Sequence, residues 1–422
     1  MDTTDTLTQL RAGQLHGIQR LDLSCGLTEF PREIFDLADS LEVLNLSGNA
    51  LTRLPDDLPR LHKLKVLFCS NNRFTDLPAV LGQCLQLEMV GFKTNQIVDV
   101  PAAALPPQLR WLILTDNQVA VLPAAIGNCP QLQKLMLAGN RLQQLPPELA
   151  QCQRLELLRI SANPLTALPD WLLQLPRLAW LAYADQPAAV ATDTAVHWAD
   201  LALQQQLGEG ASGVIHQAQW QGQAVAVKLF KGAVTSDGWP QSELAACLAA
   251  GAHPHLIPVT GALAGHPAGT AGLVMEFIPP QFSTLAGPPS LASCTRDVYP
   301  PGTRFTPDKV LRIARGVASA AAHLHAHGLL HGDLYGHNLQ CDADGHCVLG
   351  DMGAASFLPA NAAQSQALQQ LEARAFGCLL EELLAHCPDA QPALAALRDD
   401  CLQPQVAQRP VFAAIRQRLA TA

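Results

Sequence analysis

The chain has 422 residues, a formal net charge of −9 and a pI near 5.8. This length is too great for one compact core and fits two domains of ordinary size. The negative net charge leaves no broad basic surface. Nucleic acid and anionic membranes are therefore not expected as main partners.

The cysteines and the apolar stretches of the sequence indicate the cellular compartment to expect. The 12 cysteines include no CxxC pair, so we expect free thiols in a reducing compartment. The longest apolar stretches fall short of a membrane span, and no charged segment followed by an apolar run opens the chain. The sequence therefore predicts a cytoplasmic protein without a membrane span.

A repeat of the form Leu-x-x-Leu-x-Leu-x-x-Asn runs from about Ile18 to Tyr183. Seven full units and a partial closing one follow residues 1–17, which we expect to form an N-terminal cap. The unit length is 22 or 23 residues, and a proline after an apolar residue keeps the same period. The asparagines of the later units are Asn49, Asn72, Asn95, Asn117, Asn140 and Asn163.

Each unit is expected to form one short strand whose leucines, such as Leu44, point into a core that only stacking can close. The asparagine amide is expected to bond turn backbone that would otherwise be buried unpaired. Residues 18–183 resemble the leucine-rich-repeat family in its 23-residue LxxLP form. The resemblance implies a solenoid with a parallel sheet on its concave face.

The strand positions that are not leucine predict a surface for a protein partner or substrate. Apolar side chains from adjacent repeats would be clustered on the exposed sheet, which favours protein binding. The alternative is that single exposed apolar groups are ordinary on a protein surface. No catalytic grouping occurs in the repeats. The apolar positions are Val66, Phe68, Met89, Trp111, Ile113 and Met136, and the predicted contacts among them are Phe68, Trp111, Ile113 and Met136.

After Tyr183 the period stops, and residues 184–200 are predicted to be a linker, because they open with a stretch rich in Pro, Ala and Thr. A glycine-rich turn follows between two apolar, strand-like runs. Glycine there lets backbone N–H groups approach phosphate oxygens. Lys228 lies on the next predicted strand, which argues against a dinucleotide-binding fold. The glycines are Gly208, Gly210 and Gly213.

Residues 201–422 resemble eukaryotic-type protein kinases, and the segment WQGQAVAVK at 220–228 resembles the tyrosine-kinase-like branch of the Ser/Thr kinases. The resemblance implies a two-lobed fold, with an N-lobe of about 201–278 and a C-lobe of about 279–422. The whole chain is then a multidomain protein, an α/β solenoid followed by an α+β kinase-like fold.

The resemblance also implies the site residues and the cofactors, ATP and Mg²⁺. Lys228 would hold the α- and β-phosphates and pair with Glu243. Asp333 would orient the acceptor hydroxyl and accept its proton, and Asn338 and Asp351 would hold Mg²⁺. The implied nucleotide contacts are the three glycines, Lys228, Ile215, Ala226, the gatekeeper Met275, and the hinge residues Glu276 and Ile278.

Three residues depart from the family pattern. Gly332 replaces the Arg that usually precedes the catalytic Asp, so control by phosphorylation of the activation segment is not expected. Tyr335 stands where Ser/Thr kinases commonly have a Lys, and the arrangement of tyrosine kinases is also absent, which leaves the acceptor class open. Gln340 stands where an apolar residue usually lies beneath adenine.

The stretch after Asp351 is also short, since only 21 residues lead to Glu372, which resembles the start of the central C-lobe helix. In the family this stretch forms the platform for a peptide substrate, so we expect the platform to be shortened. Arg409, which normally pairs with the Glu that ends the segment, is therefore predicted not to form a salt bridge with it. We expect another carboxylate to pair with Arg409, or its side chain to turn toward solvent.

Three functions fit these residues, and an active ATP-dependent protein kinase, with Ser/Thr as the expected acceptor, is favoured because the metal and phosphate residues are intact. A nucleotide-binding pseudokinase scaffold is the second. A small-molecule phosphotransferase is the third, because His331 to Leu334 with Asn338 also resembles aminoglycoside and choline kinases. A metal site in the histidine cluster is disfavoured, because the family uses two of these histidines structurally; they are His323, His325, His327 and His331.

Overall fold

The structure, a computed structural model, describes residues 3–184, 195–210, 212–232, 234–389 and 391–421. It divides into two compact units. The first comprises Met1–Leu158 and Asn163–Leu172, and the second comprises Arg159–Ala162 and Leu173–Ala422. Part of the predicted linker, residues 185–194, lies outside the described residues. The division does not follow the predicted end of the repeats, because the second unit includes four residues of one repeat and the closing repeat from Leu173.

Short parallel strands, one per repeat, form the sheet of the first unit. Successive strands pair in register, with Leu44 opposite Leu67. Helix α1 (Thr3–Arg11) lies in the predicted cap. Short 3-10 turns return the chain between strands. The strands are β1 (Arg20–Asp22), β2 (Val43–Asn45), β3 (Val66–Phe68), β4 (Met89–Gly91), β5 (Trp111–Ile113), β6 (Lys134–Met136) and β7 (Leu157–Arg159), whose last residue belongs to the second unit.

The repeat asparagines connect one repeat to the next through buried backbone groups. Asn72 donates from Nδ2 to the carbonyl oxygens of Leu46 (2.9 Å) and Cys69 (3.1 Å). Its Oδ1 accepts from the backbone N–H of Leu51 at 2.9 Å. The prediction that these amides bond turn backbone is confirmed, and the same arrangement occurs at Asn49, Asn95, Asn117 and Asn140.

The two faces of this sheet differ in burial. Leu44 and its equivalents are fully buried in the core of the repeats. Val66 and Met89 were expected on the exposed face, but they are only 5% and 1% exposed, so this expectation is wrong for both. Register places Met89 between Val66 and Trp111 on adjacent strands, and a strand spacing of about 4.8 Å brings such neighbouring side chains into contact. Of the six predicted residues, four are half-buried: Phe68, Trp111, Ile113 and Met136.

The second unit contains a six-stranded sheet and one helix, α2 (Pro240–Ala250). The strands are β9 (Ala195–His197), β10 (Leu201–Glu209), β11 (Gly213–Trp220), β12 (Gln223–Phe230), β13 (Val259–Ala264) and β14 (Gly272–Glu276). Their order in the sheet is β10-β11-β12-β14-β13-β9. Strand β9 lies within the predicted linker but pairs in parallel with β13, so these residues form part of the sheet.

The rest of the second unit is mainly helical. Its helices are α3 (Pro307–Ala326), α4 (Ala362–Ala385), α5 (Pro392–Cys401) and α6 (Phe412–Ala420). Its short strands are β8 (Trp180–Ala182), β15 (Ser283–Thr284), β16 (Leu329–Leu330), β17 (Leu339–Cys341), β18 (Cys347–Leu349) and β19 (Ser356–Phe357). No helix in the described part of the chain combines the length and apolar character needed to cross a membrane.

Helix α4 begins ten residues before Glu372, the predicted start of the central helix. The side chain of Asn361 caps it, accepting from the backbone N–H groups of Ala363 (3.0 Å) and Gln364 (3.1 Å). The connection after Asp351 is therefore only Met352 to Asn361. As predicted, this segment is short.

Candidate active site

Lys228 forms two ion pairs at one end of the site. Its Nζ donates to Oε1 of Glu243, on the first turn of α2, at 2.6 Å and to Oδ1 of Asp351 at 3.3 Å. Burial disfavours the charged amine, but the carboxylates of Asp351 and Glu243 outweigh burial and raise the pKa of Lys228. The structure therefore places a fixed ammonium beside the carboxylate of Asp351.

The loop after β16 brings Asp333 and Asn338 together. Asn338 Nδ2 donates to the backbone oxygen and to Oδ2 of Asp333, both at 2.8 Å. His331 is fully buried, with Nε2 3.0 Å from the carbonyl oxygen of Gly350. Its Nδ1 accepts from the backbone N–H of Asp333 at 3.2 Å. This pair of bonds sets the tautomer of His331 and fixes the loop next to the segment that carries Asp351.

Asp351 and Asn338 form the donor set that Mg²⁺ would require. Asp351 has a left-handed backbone (φ 53°), and its side chain is 45% exposed. The amide nitrogen of Asn338 is used on Asp333, which leaves its amide oxygen for a cation. Asn338 and Gly350 are also bonded through their backbones at 3.0 Å. Carboxylate and amide oxygens are hard ligands, so these residues fit a hydrated Mg²⁺.

The three glycines of the β10–β11 turn serve different needs. Gly210 donates its backbone N–H to the carbonyl oxygen of Gly213 at 2.9 Å, closing the turn. A Cβ on Gly213 would lie 2.5 Å from the carbonyl oxygen of Leu229, so close strand packing requires glycine there. A Cβ on Gly208 or Gly210 would meet no atom within 4 Å. Only these two glycines leave open space in which a phosphate could approach backbone.

Strand register places four of the predicted nucleotide contacts on one face of the sheet. Ile215 lies opposite Lys228, and Ala226 lies opposite Met275. Residues 226 and 228 share a face, because side chains alternate along a strand. Glu276 lies opposite Val225, and its backbone N–H is used on the carbonyl oxygen of Pro258 at 3.0 Å.

The remaining predicted contacts differ in exposure and bonding. The side chain of Glu276 is exposed, and Ile278 follows β14 half-buried. Gln340, expected beneath adenine, donates to the hydroxyl of Thr284 at 2.9 Å. Its amide therefore already has a protein partner.

Two parts of the sequence match known families. Residues 201–376 match the family described as protein tyrosine and serine/threonine kinase. Residues 39–82 and 130–182 match leucine-rich-repeat families. The chain carries leucine-rich repeats followed by a protein kinase domain.

Curated relatives match over part of the chain. "Serine/threonine-protein kinase mos" of Xenopus laevis is 26% identical over 169 residues, which are 39% of this chain and 44% of that protein. "Probable serine/threonine-protein kinase gdt4" of Dictyostelium discoideum is 27% identical over 139 residues, 33% of this chain and 8% of that protein. The matched segments thus span less than half of either relative.

Glu372 anchors the loop that carries Asp333, a role that the sequence did not reveal. Its Oε1 accepts from the backbone N–H of Gly332 at 2.8 Å, and its Oε2 lies 2.6 Å from Nε2 of His325. Burial favours the neutral acid, but His325, His331 and the Gly332 N–H outweigh burial and lower the pKa of Glu372. Among the described residues no group of His, Cys, Asp or Glu side chains forms a metal site.

Some residues of the last repeats belong to the second unit, which contains the kinase domain and is called the kinase unit below. Trp180 of β8 donates from Nε1 to the carbonyl oxygen of Leu334 at 3.0 Å, and its ring stacks on Tyr335. Arg159 contacts the carboxylate of Asp333. A residue of the repeat segment therefore contacts the predicted catalytic residue Asp333, which the sequence did not lead us to expect. No local motif could have revealed this, because Arg159 and Asp333 are 174 residues apart in the sequence.

Arg409 is buried and bonded to carbonyl groups. Its Nε donates to the oxygen of Gln403 at 2.8 Å and its Nη2 to the oxygen of Pro176 at 2.7 Å. Burial, with the nearby Arg374, lowers the pKa of Arg409 to about 9. The prediction that Arg409 forms no salt bridge with the segment after Asp351 is confirmed. Neither expected alternative occurs, because backbone carbonyls take the place of a carboxylate partner.

Proposed function

We propose that the protein is an ATP-dependent protein kinase that transfers the γ-phosphate to protein hydroxyls, with Ser and Thr as the main acceptors. The observation that carries this proposal is the connected set of charged groups: Lys228 bonds to both Glu243 and Asp351, and Asn338 holds Asp333. The two relatives described above are named as Ser/Thr kinases. No observation in the structure favours the pseudokinase or the small-molecule phosphotransferase.

Each group has a task that its geometry supports. Lys228 would neutralise phosphate oxygens, and its charge is held in place by two carboxylates before ATP arrives. Asp333 would orient the acceptor hydroxyl and take its proton. Asn338 and Asp351 would hold Mg²⁺, which supplies charge neutralisation on the phosphates when bound. Positioning and fixed charge are the main requirements of phosphoryl transfer, and these residues would meet both.

Phosphate incorporation from labelled ATP tests the proposal. The wild-type chain should label itself or a generic acceptor such as myelin basic protein. Lys228→Met and Asp333→Asn should lower the rate about a hundredfold or more, because each removes a charged group at the transferred phosphoryl or the acceptor. Unchanged melting temperatures would show that the variants fold. Equal labelling by wild type and Asp333→Asn would contradict the proposal, and labelling of small alcohols alone would favour the third function.

We also propose that the repeats hold the protein substrate, through the sheet face that carries Phe68, Trp111, Ile113 and Met136. The ten-residue segment after Asp351 leaves little platform for a peptide. On the sheet face, Phe68 and Trp111 contact edge to face at 6.3 Å, and Lys134 lies 4.2 Å from the Trp111 ring centroid. A half-buried aromatic cluster with a cation beside it is a common feature of protein-binding surfaces.

Thiophosphate labelling of extract proteins tests this surface. Trp111→Ala combined with Met136→Ala should reduce labelling of the proteins that the wild type modifies, while autophosphorylation and ATP binding stay unchanged. Val121→Ala is the matched control, because Val121 is 73% exposed and lies outside the sheet strands. Unchanged labelling by the double variant would show that substrates bind elsewhere.

The segment after Asp351 supports a proposal about regulation. The segment 352–361 contains one hydroxyl residue, Ser356, which is 1% exposed and could be phosphorylated only after local opening. We therefore propose that activity does not depend on phosphorylation of this segment.

The 12 cysteines include no CxxC pair, which supports our proposal of a reducing compartment and hence a cytoplasmic location. Microscopy of the tagged chain would test the location.

A further inference from the structure

Arg159 stands between two carboxylates of the kinase unit. Its Nε donates to Oδ1 of Asp237 at 2.6 Å, its Nη1 to the carbonyl oxygen of Gly332 at 3.1 Å, and its Nη2 to Oδ1 of Asp333. The Arg159 side chain is only 2% exposed. Burial disfavours the charged guanidinium, but the carboxylates of Asp333 and Asp237 outweigh burial and raise the pKa of Arg159. Arg159 is therefore a fixed positive charge on the proposed catalytic base.

We propose that Arg159 is a positioning residue of the kinase reaction, which holds the carboxylate of Asp333 in one orientation. This inference rests on the function proposed above. Arg159 bonds to Oδ1 of Asp333, and Asn338 bonds to Oδ2. A carboxylate has about four lone-pair positions, so two remain for the acceptor hydroxyl. The base stays accessible to a proton while its rotation is blocked.

Arg159 is the cation in contact with the carboxylate of Asp333, because Tyr335 and His337, its neighbours in this loop, have partners elsewhere. Tyr335, at the position where a Lys was expected, is stacked on Trp180 and supplies no charge. His337 is bonded to Asp297 at 2.7 Å. The other charged or titratable groups facing this region are Asp237, Asp351, Glu372 and Arg296.

The surrounding backbone indicates that Arg159 is a permanent part of the site rather than a removable block. Gly332 has φ 74°, and a Cβ there would lie 2.6 Å from the carbonyl oxygens of both Leu181 and Ala354. Gly238 has φ 135°, and a Cβ there would lie 2.6 Å from Cβ of Ser161. Glycines thus adjoin both acidic partners of Arg159 and allow the repeat residues to pack closely. The reaction must proceed with Arg159 in place.

Kinetics of Arg159→Met and Arg159→Lys test the inference, with phosphorylation of myelin basic protein as the measured reaction. Arg159→Met should lower kcat about tenfold or more, because the base is no longer held in one orientation, with KM for ATP nearly unchanged. Arg159→Lys should recover part of the rate. Arg154→Met, at an exposed arginine nearby in the sequence, is the matched control.

Asp237→Asn provides an independent variant if Arg159→Met does not fold. Removing this carboxylate leaves Nε of Arg159 without its acceptor, so the guanidinium is held less firmly and kcat should fall by less than in Arg159→Met, with KM for ATP nearly unchanged. A higher kcat in Arg159→Met would show that Arg159 blocks the base, and an unchanged kcat in both variants would show a purely structural role. Either result overturns the inference alone. Absence of phosphate transfer by the wild type would overturn the proposed function, and this inference with it.

Discussion

Trp180 stacks face to face on Tyr335, with ring centroids 4.2 Å apart and ring planes 5° apart. Trp180 belongs to the closing repeat and Tyr335 to the loop that carries Asp333, and both are almost fully buried. The strand that ends the repeat pattern therefore forms part of the core of the kinase domain.

Trp180→Ala should destabilise the kinase domain strongly. It removes a large buried side chain and leaves the Leu334 carbonyl without its donor, and such truncations cost about 3 to 5 kcal/mol. Calorimetry should show a lower melting temperature for the variant. Trp198→Ala, at a half-buried tryptophan, is the control and should cost clearly less. Equal losses for the two variants would mean that the stack contributes little.

Gly332→Ala should be poorly tolerated, because the new Cβ would meet two carbonyl oxygens at 2.6 Å in a left-handed backbone. Gly302→Ala separates the two causes, since Gly302 has φ 81° and open space around its Cβ position. The control should show only the backbone strain, about 1 kcal/mol. We expect Gly332→Ala to cost several times more in chemical denaturation. A similar loss in both variants would indicate that the close approach of Leu181 relaxes easily.

The repeats could be predicted from the sequence because their information is local. A period of 22 or 23 residues sets both the strand spacing and the position of each asparagine, such as Asn72. The kinase motifs are likewise short and ordered. Arg159 could not be found in this way, because its partners lie far away in the chain and no motif marks them.

The start of α4 was missed for a different reason. Residues 362–371 contain many Ala, Gln and Leu, which are good helix formers, and Asn361 is a favourable N-cap. This local signal was present in the sequence. The resemblance to the kinase pattern begins only at Glu372, so a prediction from it sets the helix start too late.

Asn72→Ala should weaken the repeats. The substitution removes the side-chain partner of the Leu46 and Cys69 carbonyls and of the Leu51 N–H, and an unsatisfied buried group costs about 1 to 3 kcal/mol. Urea denaturation of the full chain should show an earlier first transition. Asn128→Ala, at an exposed asparagine, is the control and should change stability by less than about 0.5 kcal/mol. A small effect at Asn72 would mean that water replaces the amide.

Glu382→Gln should change how stability depends on pH. Burial, with the nearby Asp297, raises the pKa of Glu382 to about 8. The folded state therefore retains a proton that the unfolded chain releases above its lower pKa, so wild-type stability should fall as the pH rises from about 5 to 8. The neutral glutamine should flatten this slope and make the variant more stable than wild type at pH 8. Denaturation at several pH values measures the free energy of unfolding of both proteins. If Glu382 were ionised in the folded state, the two curves of this free energy against pH would be parallel.

The division of the chain has a consequence for how such genes can recombine. A crossover after Tyr183 would join the repeats to a foreign kinase and leave the original kinase without Trp180, the residue on which Tyr335 stacks. Arg409 would also lose its hydrogen-bond acceptor, the carbonyl oxygen of Pro176. Successful fusions should therefore exchange the kinase together with residues 159–184. Descendants that lost their repeats should show a changed residue at Tyr335 or a new segment in the place of Trp180.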